Sequence, residues 1–214
     1  MRILTLENSG EVYTSQVYLV LGDFSRIEDV NTLVDVGQDP AVLASIQRAP
    51  TGVGKIPVEQ VVLTHGHSDH CAMLPWIHEA FHPTVFAFSP HIDGAGMVLR
   101  DGDTIRMGDQ DFEVIHTPGH SSDSVCLYNK TAGVLFAGDA PLVITSAAGT
   151  HEAGFVAALE KLCAREIRRI YFGHGAPLTG CCNERLRESL RLATRGLPAN
   201  GLRERAEYRA PATA

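Results

Sequence analysis

Apolar residues along the chain form short runs that end abruptly at glycine, proline or histidine. Three such runs occupy positions 61–63, 134–137 and 170–172. Short apolar runs bounded by turn residues are typical of buried strands rather than of helices. We predict further strands at residues 2–7, 12–21, 31–37, 84–88, 100–106, 111–115 and 125–128, with a turn at 8–10 between the first two.

Four other segments repeat apolar residues three or four positions apart, which predicts helices. One of them starts at Asp39, and the other three cover residues 73–81, 152–163 and 183–196. We predict that Asn183 caps the last helix and that Gly196 ends it. Two strand-rich halves, each flanked by helices, predict an α+β protein with two sheets face to face and helices outside.

Candidate chemistry is concentrated in the loop after the run at 61–63. This loop reads His65-Gly66-His67-Ser68-Asp69-His70. His65 and His67 can converge from an extended turn, whereas Asp69 and His70 lie at the mouth of the next helix and point elsewhere. Two ligand pairs with different directions suit a two-metal site.

Further candidate ligands follow other predicted strands. His120 lies in Thr117-Pro118-Gly119-His120, Asp139 follows Gly138, and His174 lies between two glycines. A surface loop that is rich in histidine by chance is the alternative. The repeated placement at strand ends disfavours it, because a site on one edge of a sheet core needs this arrangement.

With these residues the chain resembles the metallo-β-lactamase superfamily, and its metal motif is glyoxalase II-like. The match is to the H-x-H-x-D-H signature and to the later His, Asp and His in the family's order. The resemblance implies an αββα four-layer sandwich of two mixed sheets flanked by helices. It assigns one metal to His65, His67 and His120, the other to Asp69, His70 and His174, and a bridging position to Asp139.

Asp35 resembles the family's aspartate behind the metal loop. A carboxylate there could orient a ligand imidazole through its second nitrogen. The alternative is a strand-end aspartate that caps the next helix, and the two roles are compatible.

Nitrogen and carboxylate ligands without thiolate predict two Zn²⁺ per chain, with Fe²⁺ or Mn²⁺ admissible. A metal-bridged hydroxide would then attack an ester, thioester or lactone of a small molecule, with Asp69 steering or relaying the proton. The strongest alternative is a mononuclear iron oxidoreductase similar to the persulfide dioxygenases. The candidate ligands present in this chain are compatible with hydrolysis and with this oxidation chemistry. A metal-binding but inactive protein is disfavoured, since no ligand is missing.

Two subfamilies match less well. The basic C-terminal helical region by which glyoxalase II binds glutathione has no counterpart here, and Leu142 stands where the acyl-homoserine lactonases usually have Tyr.

His91 and His151 could each face substrate or be structural. Cys71, next to the metal loop, is expected to be a buried structural residue.

Composition limits the remaining possibilities. With 214 residues, 44% of them hydrophobic, the chain can bury one core. We predict one domain at 1–196 and a C-terminal tail at 197–214. The net charge of −7 disfavours a nucleic-acid surface. No segment predicts a secretory signal or membrane span, and five cysteines without a pairing pattern favour the cytoplasm. A homodimer through the tail or apolar helix faces is compatible with the sequence.

Overall fold

Two mixed six-stranded sheets form the centre of the computed structural model, which describes residues 1–146 and 151–195. In the first sheet the strands follow chain order: β1 (Arg2–Thr5), β2 (Tyr18–Leu21), β3 (Thr32–Val34), β4 (Gln60–Val62), β5 (Thr84–Ala87) and β6 (Met97–Val98). The first three are antiparallel, and β3 to β6 run parallel.

The second sheet has its strands in reverse chain order. They are β7 (Thr104–Met107), β8 (Gln110–His116), β9 (Val125–Asn129), β10 (Val134–Gly138), β11 (Arg169–Phe172) and β12 (Leu178–Thr179). Only β10 and β11 are parallel among these pairs of the described chain. Their carboxyl ends therefore lie at the same edge of the sheet, where Asp139 and His174 follow.

The described helices are α1 (Ala41–Arg48), α2 (Ser68–Cys71), α3 (Leu74–Phe81), α4 (Ala153–Cys163) and α5 (Cys182–Arg195). Within the described residues, no helix is long and apolar enough to cross a membrane.

Alternation along the strands explains why the sheets stack with helices outside. Tyr18 and Val20 of β2 belong to one buried cluster with Phe112, Phe136 and Tyr171 of the second sheet. The intervening residues Leu19 and Leu21 pack instead with the α1 and α3 side chains. Residues two apart in a strand share a face, so one strand supplies both interfaces.

A third cluster covers the outer face of the second sheet. Leu135 and Ala137 of β10 pack there with Phe155 and Leu159 of α4 and Leu186 of α5. The order helix, sheet, sheet, helix confirms the predicted four-layer αββα sandwich.

Two local predictions are wrong, and two short strands were missed. Strand β2 begins at Tyr18 rather than at residue 12, because residues 12–17 are held by the neighbouring loops instead of by strand pairing. Helix α5 begins at Cys182, and Asn183 connects it to the α4–β11 loop by accepting from the Ile167 N–H and donating to the Arg165 carbonyl. Strands β6 and β12 were not predicted.

The predicted boundary at residue 196 and the tail at 197–214 lie outside the described residues. The one-domain division of the chain therefore stays a prediction.

Candidate metal centre

Four connecting segments bring the seven candidate ligands to one place. The segment between β4 and α3 carries His65, His67, Asp69 and His70, and His120, Asp139 and His174 follow β8, β10 and β11. Their donor atoms form two groups, and within each group all donor atoms lie within 4.8 Å of one another. Sites of this kind are built at strand ends because rigid strands fix the positions from which the loops start.

The first group consists of His65, His67 and His120. Nε2 of His120 lies 2.9 Å from Nδ1 of His67. The His65 ring centroid lies 4.6 Å from that of His67 and 4.8 Å from that of His120. Three imidazoles that converge in this way suit a cation that takes nitrogen ligands.

The second group consists of Asp69, His70, Asp139 and His174. Oδ2 of Asp69 lies 3.0 Å from Nε2 of His174, and Oδ1 of Asp139 lies 3.3 Å from Nε2 of His70. This group combines two imidazoles with two carboxylates, which zinc, iron and manganese all accept.

Asp139 reaches both groups. Its Oδ2 lies 3.5 Å from Nε2 of His174 in the second group and 3.6 Å from Nε2 of His120 in the first. A single carboxylate within reach of two ligand sets is the geometry that a shared ligand needs.

Three buried polar atoms of the site lack a hydrogen-bond partner among the described residues. They are Nε2 of His65, Nε2 of His70 and Oδ1 of Asp139. Most buried polar atoms in proteins have a hydrogen-bond partner, so three unpaired atoms in one small volume require an explanation. Metal coordination would satisfy all three, and the donor types fit Zn²⁺.

Asp35 and Thr64 form a second layer behind these ligands. The Asp35 carboxylate accepts from Nδ1–H of His70 at 2.8 Å, from the Thr64 N–H at 2.8 Å and from the Thr64 hydroxyl at 2.9 Å. Because that hydroxyl donates to Asp35, its oxygen accepts from Nδ1–H of His65 at 3.2 Å. Both imidazoles therefore present their Nε2 to the centre, as ligation requires.

The helix-cap alternative for Asp35 does not match the geometry. Oδ1 of Asp39 accepts from the Ala41 N–H at the start of α1, at 2.9 Å. Asp35 instead has a positive φ of 58° and points into the site. Aspartate is among the few residues that adopt this backbone region without glycine's freedom.

The electrostatics of the second group favour positive charge at His70, whereas the buried His65 of the first group is held neutral. Burial disfavours the charged imidazole of His70, but Asp35 and Asp139 outweigh it and raise the His70 pKa to about 10. Burial likewise opposes the charged carboxylate of Asp139, yet His70 and the other imidazoles lower its pKa to about 2. Burial lowers the pKa of His65 to about 4. A cation at Nε2 of His70 would replace a proton there.

Other histidines and the nearest cysteine lie outside the two groups. His116 donates from Nε2 to the Ser122 carbonyl at 2.8 Å and stacks on Phe88, which fixes the loop that carries His120. The His151 ring packs near Phe155. Cys71 is half-buried rather than buried, and its Sγ–H donates to the Gly66 carbonyl of the ligand loop at 3.5 Å.

Two residues near the site were not predicted. Thr64 orients two ligands, and the Tyr13 ring stacks on the His174 ring with centroids 4.9 Å apart. Thr64 could have been noticed because it joins the β4 run to the ligand loop. Tyr13 carries no local signal, because tertiary contacts alone bring it to the centre.

The comparison with known families agrees with this architecture. A family model described as the metallo-beta-lactamase superfamily matches residues 11–174. The chain belongs to this superfamily.

Curated relatives are similar over parts of the chain. An atrochrysone carboxyl ACP thioesterase of Aspergillus fumigatus is 27% identical over 187 residues, which cover 79% of this chain and 44% of that protein. A hydroxyacylglutathione hydrolase of Chelativorans sp. is 31% identical over 113 residues, covering 51% of this chain and 42% of the relative. The chain thus matches less than half of the length of either relative.

Among solved structures, ETHE1 from Myxococcus xanthus superposes with a TM-score of 0.69 at 22% identity. The match covers 99% of this chain and 92% of that one. At this identity the likeness shows the fold.

Proposed function

We propose that the protein is a metal-dependent hydrolase of a small-molecule ester, thioester or lactone, with a thioester as the favoured substrate. The observation that carries the proposal is the position of Asp139, which reaches both groups of candidate ligands. The names of two curated relatives, a thioesterase and a hydroxyacylglutathione hydrolase, support thioester chemistry.

We further propose two zinc ions per chain, one held by His65, His67 and His120 and the other by Asp69, His70 and His174, with Asp139 shared. Iron or manganese would fit the same donors. When bound, such a pair of ions supplies an activated water near neutral pH and polarises the substrate carbonyl.

Within this proposal, the chain's own residues place the reactants and handle the proton. Asp69 retains a partly exposed carboxylate 3.0 Å from His174, so it can accept the proton of the attacking water. It then returns that proton to the leaving thiolate, and the products are a carboxylic acid and a thiol. Asp35 and Thr64 hold the imidazoles of His70 and His65 in one orientation throughout.

A cytoplasmic location is also part of the proposal. All five cysteines lie in the described residues, and each is a free thiol. Unpaired cysteines are usual in reducing compartments. We propose a small-molecule substrate and no nucleic-acid partner, since the chain carries a net charge of −7.

The test is hydrolysis of a panel of acyl thioesters, esters and lactones by the full chain, loaded with zinc in one sample and with iron in another, with thiol-dependent oxygen uptake measured on both. The proposal expects thioester hydrolysis without oxygen uptake. Oxygen uptake by an iron-containing sample, without hydrolysis, would overturn it in favour of the dioxygenase chemistry.

Variants of the candidate ligands sharpen this test. We expect His67→Ala and Asp139→Ala to lose metal and activity together. The loss should exceed the roughly 10–100-fold fall in metal affinity or activity that is typical when a residue hydrogen-bonded to a ligand is removed. His78→Ala is the matched control, because His78 is an exposed helix residue outside both ligand groups. Wild-type activity in either ligand variant would contradict the site assignment.

A further inference from the structure

Tyr13 lies against the second group of candidate ligands. Its ring stacks on the His174 imidazole at an interplanar angle of 18°, and its hydroxyl lies 3.3 Å from His174 Nε2. The residue is nevertheless 72% exposed, so much of its surface is open to solvent. Tyrosine can present an apolar ring and a hydrogen-bonding hydroxyl at the same time.

The backbone around Tyr13 is fixed on both ligand loops. The Ser15 N–H donates to the Asp69 carbonyl at 3.0 Å, and the Gln16 N–H donates to the Gly173 carbonyl at 2.6 Å. The side-chain amide of Gln38 donates to the Tyr13 carbonyl. Tyr13 is therefore positioned relative to Asp69 and His174 by hydrogen bonds rather than by a free loop.

A second contact holds this segment close to β3. The Thr14 hydroxyl oxygen accepts from the Gln38 N–H at 2.9 Å. Gly37 has a φ of +68°, and a Cβ there would come within 2.7 Å of that oxygen. Glycine at this position permits the close approach that places Tyr13 at the site.

Ligation would engage the ring nitrogen that lies 3.3 Å from the Tyr13 hydroxyl, His174 Nε2. His174 Nε2 has one lone pair in the plane of its ring, and a cation bound there would occupy it. The phenol proton would then need an acceptor elsewhere. The carbonyl oxygen of a bound substrate is a chemically suitable acceptor on the open side of the site.

We propose that Tyr13 is a catalytic residue that donates a hydrogen bond to the carbonyl oxygen of the scissile acyl group; this inference rests on the proposed hydrolase function. As water's oxygen adds to the acyl carbon, the carbonyl π electrons move to oxygen, and the Tyr13 O–H stabilises the negative charge there. When the carbonyl re-forms, the bond to sulfur breaks and the thiolate takes the proton that water lost. The phenol stays protonated throughout.

The test is Tyr13→Phe, which removes the hydroxyl and keeps the ring that stacks on His174. We expect unchanged zinc content and a kcat lower by about tenfold or more, toward the roughly 10²–10³-fold cost of losing an oxyanion donor. Tyr128→Phe is the control, because its hydroxyl donates to the Glu166 carbonyl at 3.1 Å in a different part of the fold.

A binding measurement separates substrate contact from a structural role. A ketone analogue, in which CH₂ replaces the thioester sulfur, should bind Tyr13→Phe more weakly than wild type. A thioether analogue without the carbonyl should bind both proteins equally. Equal ketone binding, an unchanged kcat or loss of zinc from Tyr13→Phe would each overturn the role of Tyr13. Absence of any hydrolysis by wild type would overturn the proposed function instead.

Discussion

Replacement of Asp35 by Asn removes the negative charge behind His70 and keeps the shape of the side chain. Asn also tolerates the left-handed backbone that this position has, with its φ of 58°. The effect therefore comes from hydrogen bonding and charge rather than from backbone strain.

The size of the effect follows from two of the three hydrogen bonds that Asp35 accepts, those from Nδ1–H of His70 and from the Thr64 N–H. If the Asn oxygen faces Nδ1–H of His70, its amide faces the Thr64 N–H, and a buried donor stays unpaired at a cost of about 1–3 kcal/mol. If the amide faces His70, Nδ1 must become an acceptor and the proton moves to Nε2, where it blocks ligation. We expect zinc affinity at the second group to fall about 10–100-fold.

The assay is competition for zinc with a chromophoric chelator, combined with urea denaturation of the metal-free protein. Asp39→Asn is the matched control, since Asp39 is also buried and accepts from the Ser9 N–H, the Ser9 hydroxyl and the Ala41 N–H. It should lose stability and keep wild-type zinc affinity. An Asp35→Asn protein that binds zinc as tightly as wild type would show that Asp35 does not prepare His70 for ligation.

Further predictions concern stability. Gly138→Ala places a Cβ 2.5 Å from the Thr64 hydroxyl at a φ of +51° and should cost more than the roughly 1–2 kcal/mol expected for Gly180→Ala, which meets no atom within 4 Å. Phe136→Ala should cost about 3–5 kcal/mol in urea denaturation, because Phe136 is buried between the sheets. In metal-free protein, the raised His70 pKa stabilises the fold fully below pH 6.5, and this contribution should be lost as the pH rises toward about 10.

Each of these predictions has an outcome that contradicts it. Equal losses in the two glycine variants would exclude the contact with Thr64. A cost below about 1 kcal/mol for Phe136→Ala would contradict a packed inter-sheet core. For the pH dependence, metal-free His70→Gln is the reference, because other groups titrate in the same range. Identical slopes for this variant and wild type between pH 7 and 10 would show that His70 does not contribute.

The layered fold could be predicted because its signals are local. Val61 and Leu63 face the helices while Val62 faces the second sheet, so all three are apolar and the strand is marked in the sequence by an uninterrupted apolar run. Strands β6 and β12 could not be predicted in this way. Each has two residues and exists only because it pairs with β5 or β11, so no periodicity marks it.

In the candidate site, too, the residues with a local sequence signal could be predicted, and the residue placed by tertiary contacts could not. The seven candidate ligands could be found because each follows an apolar run and a turn residue, which is a pattern within a few positions. Tyr13 could not be found, because residues 12–21 have the pattern of one strand. In the structure the strand begins only at Tyr18, the Ser15 N–H donates to the Asp69 carbonyl 54 positions later in the chain, and Tyr13 stacks on His174.

We propose that the two ligand groups hold two metal ions with Asp139 shared between them. Elemental analysis of the full chain, purified without added metal and then loaded with zinc and dialysed, is the direct test of this proposal. We expect about two zinc ions per chain in wild type, and fewer than two in Asp139→Ala. A wild-type protein that retains no zinc, or an Asp139→Ala protein that retains both ions, would contradict it.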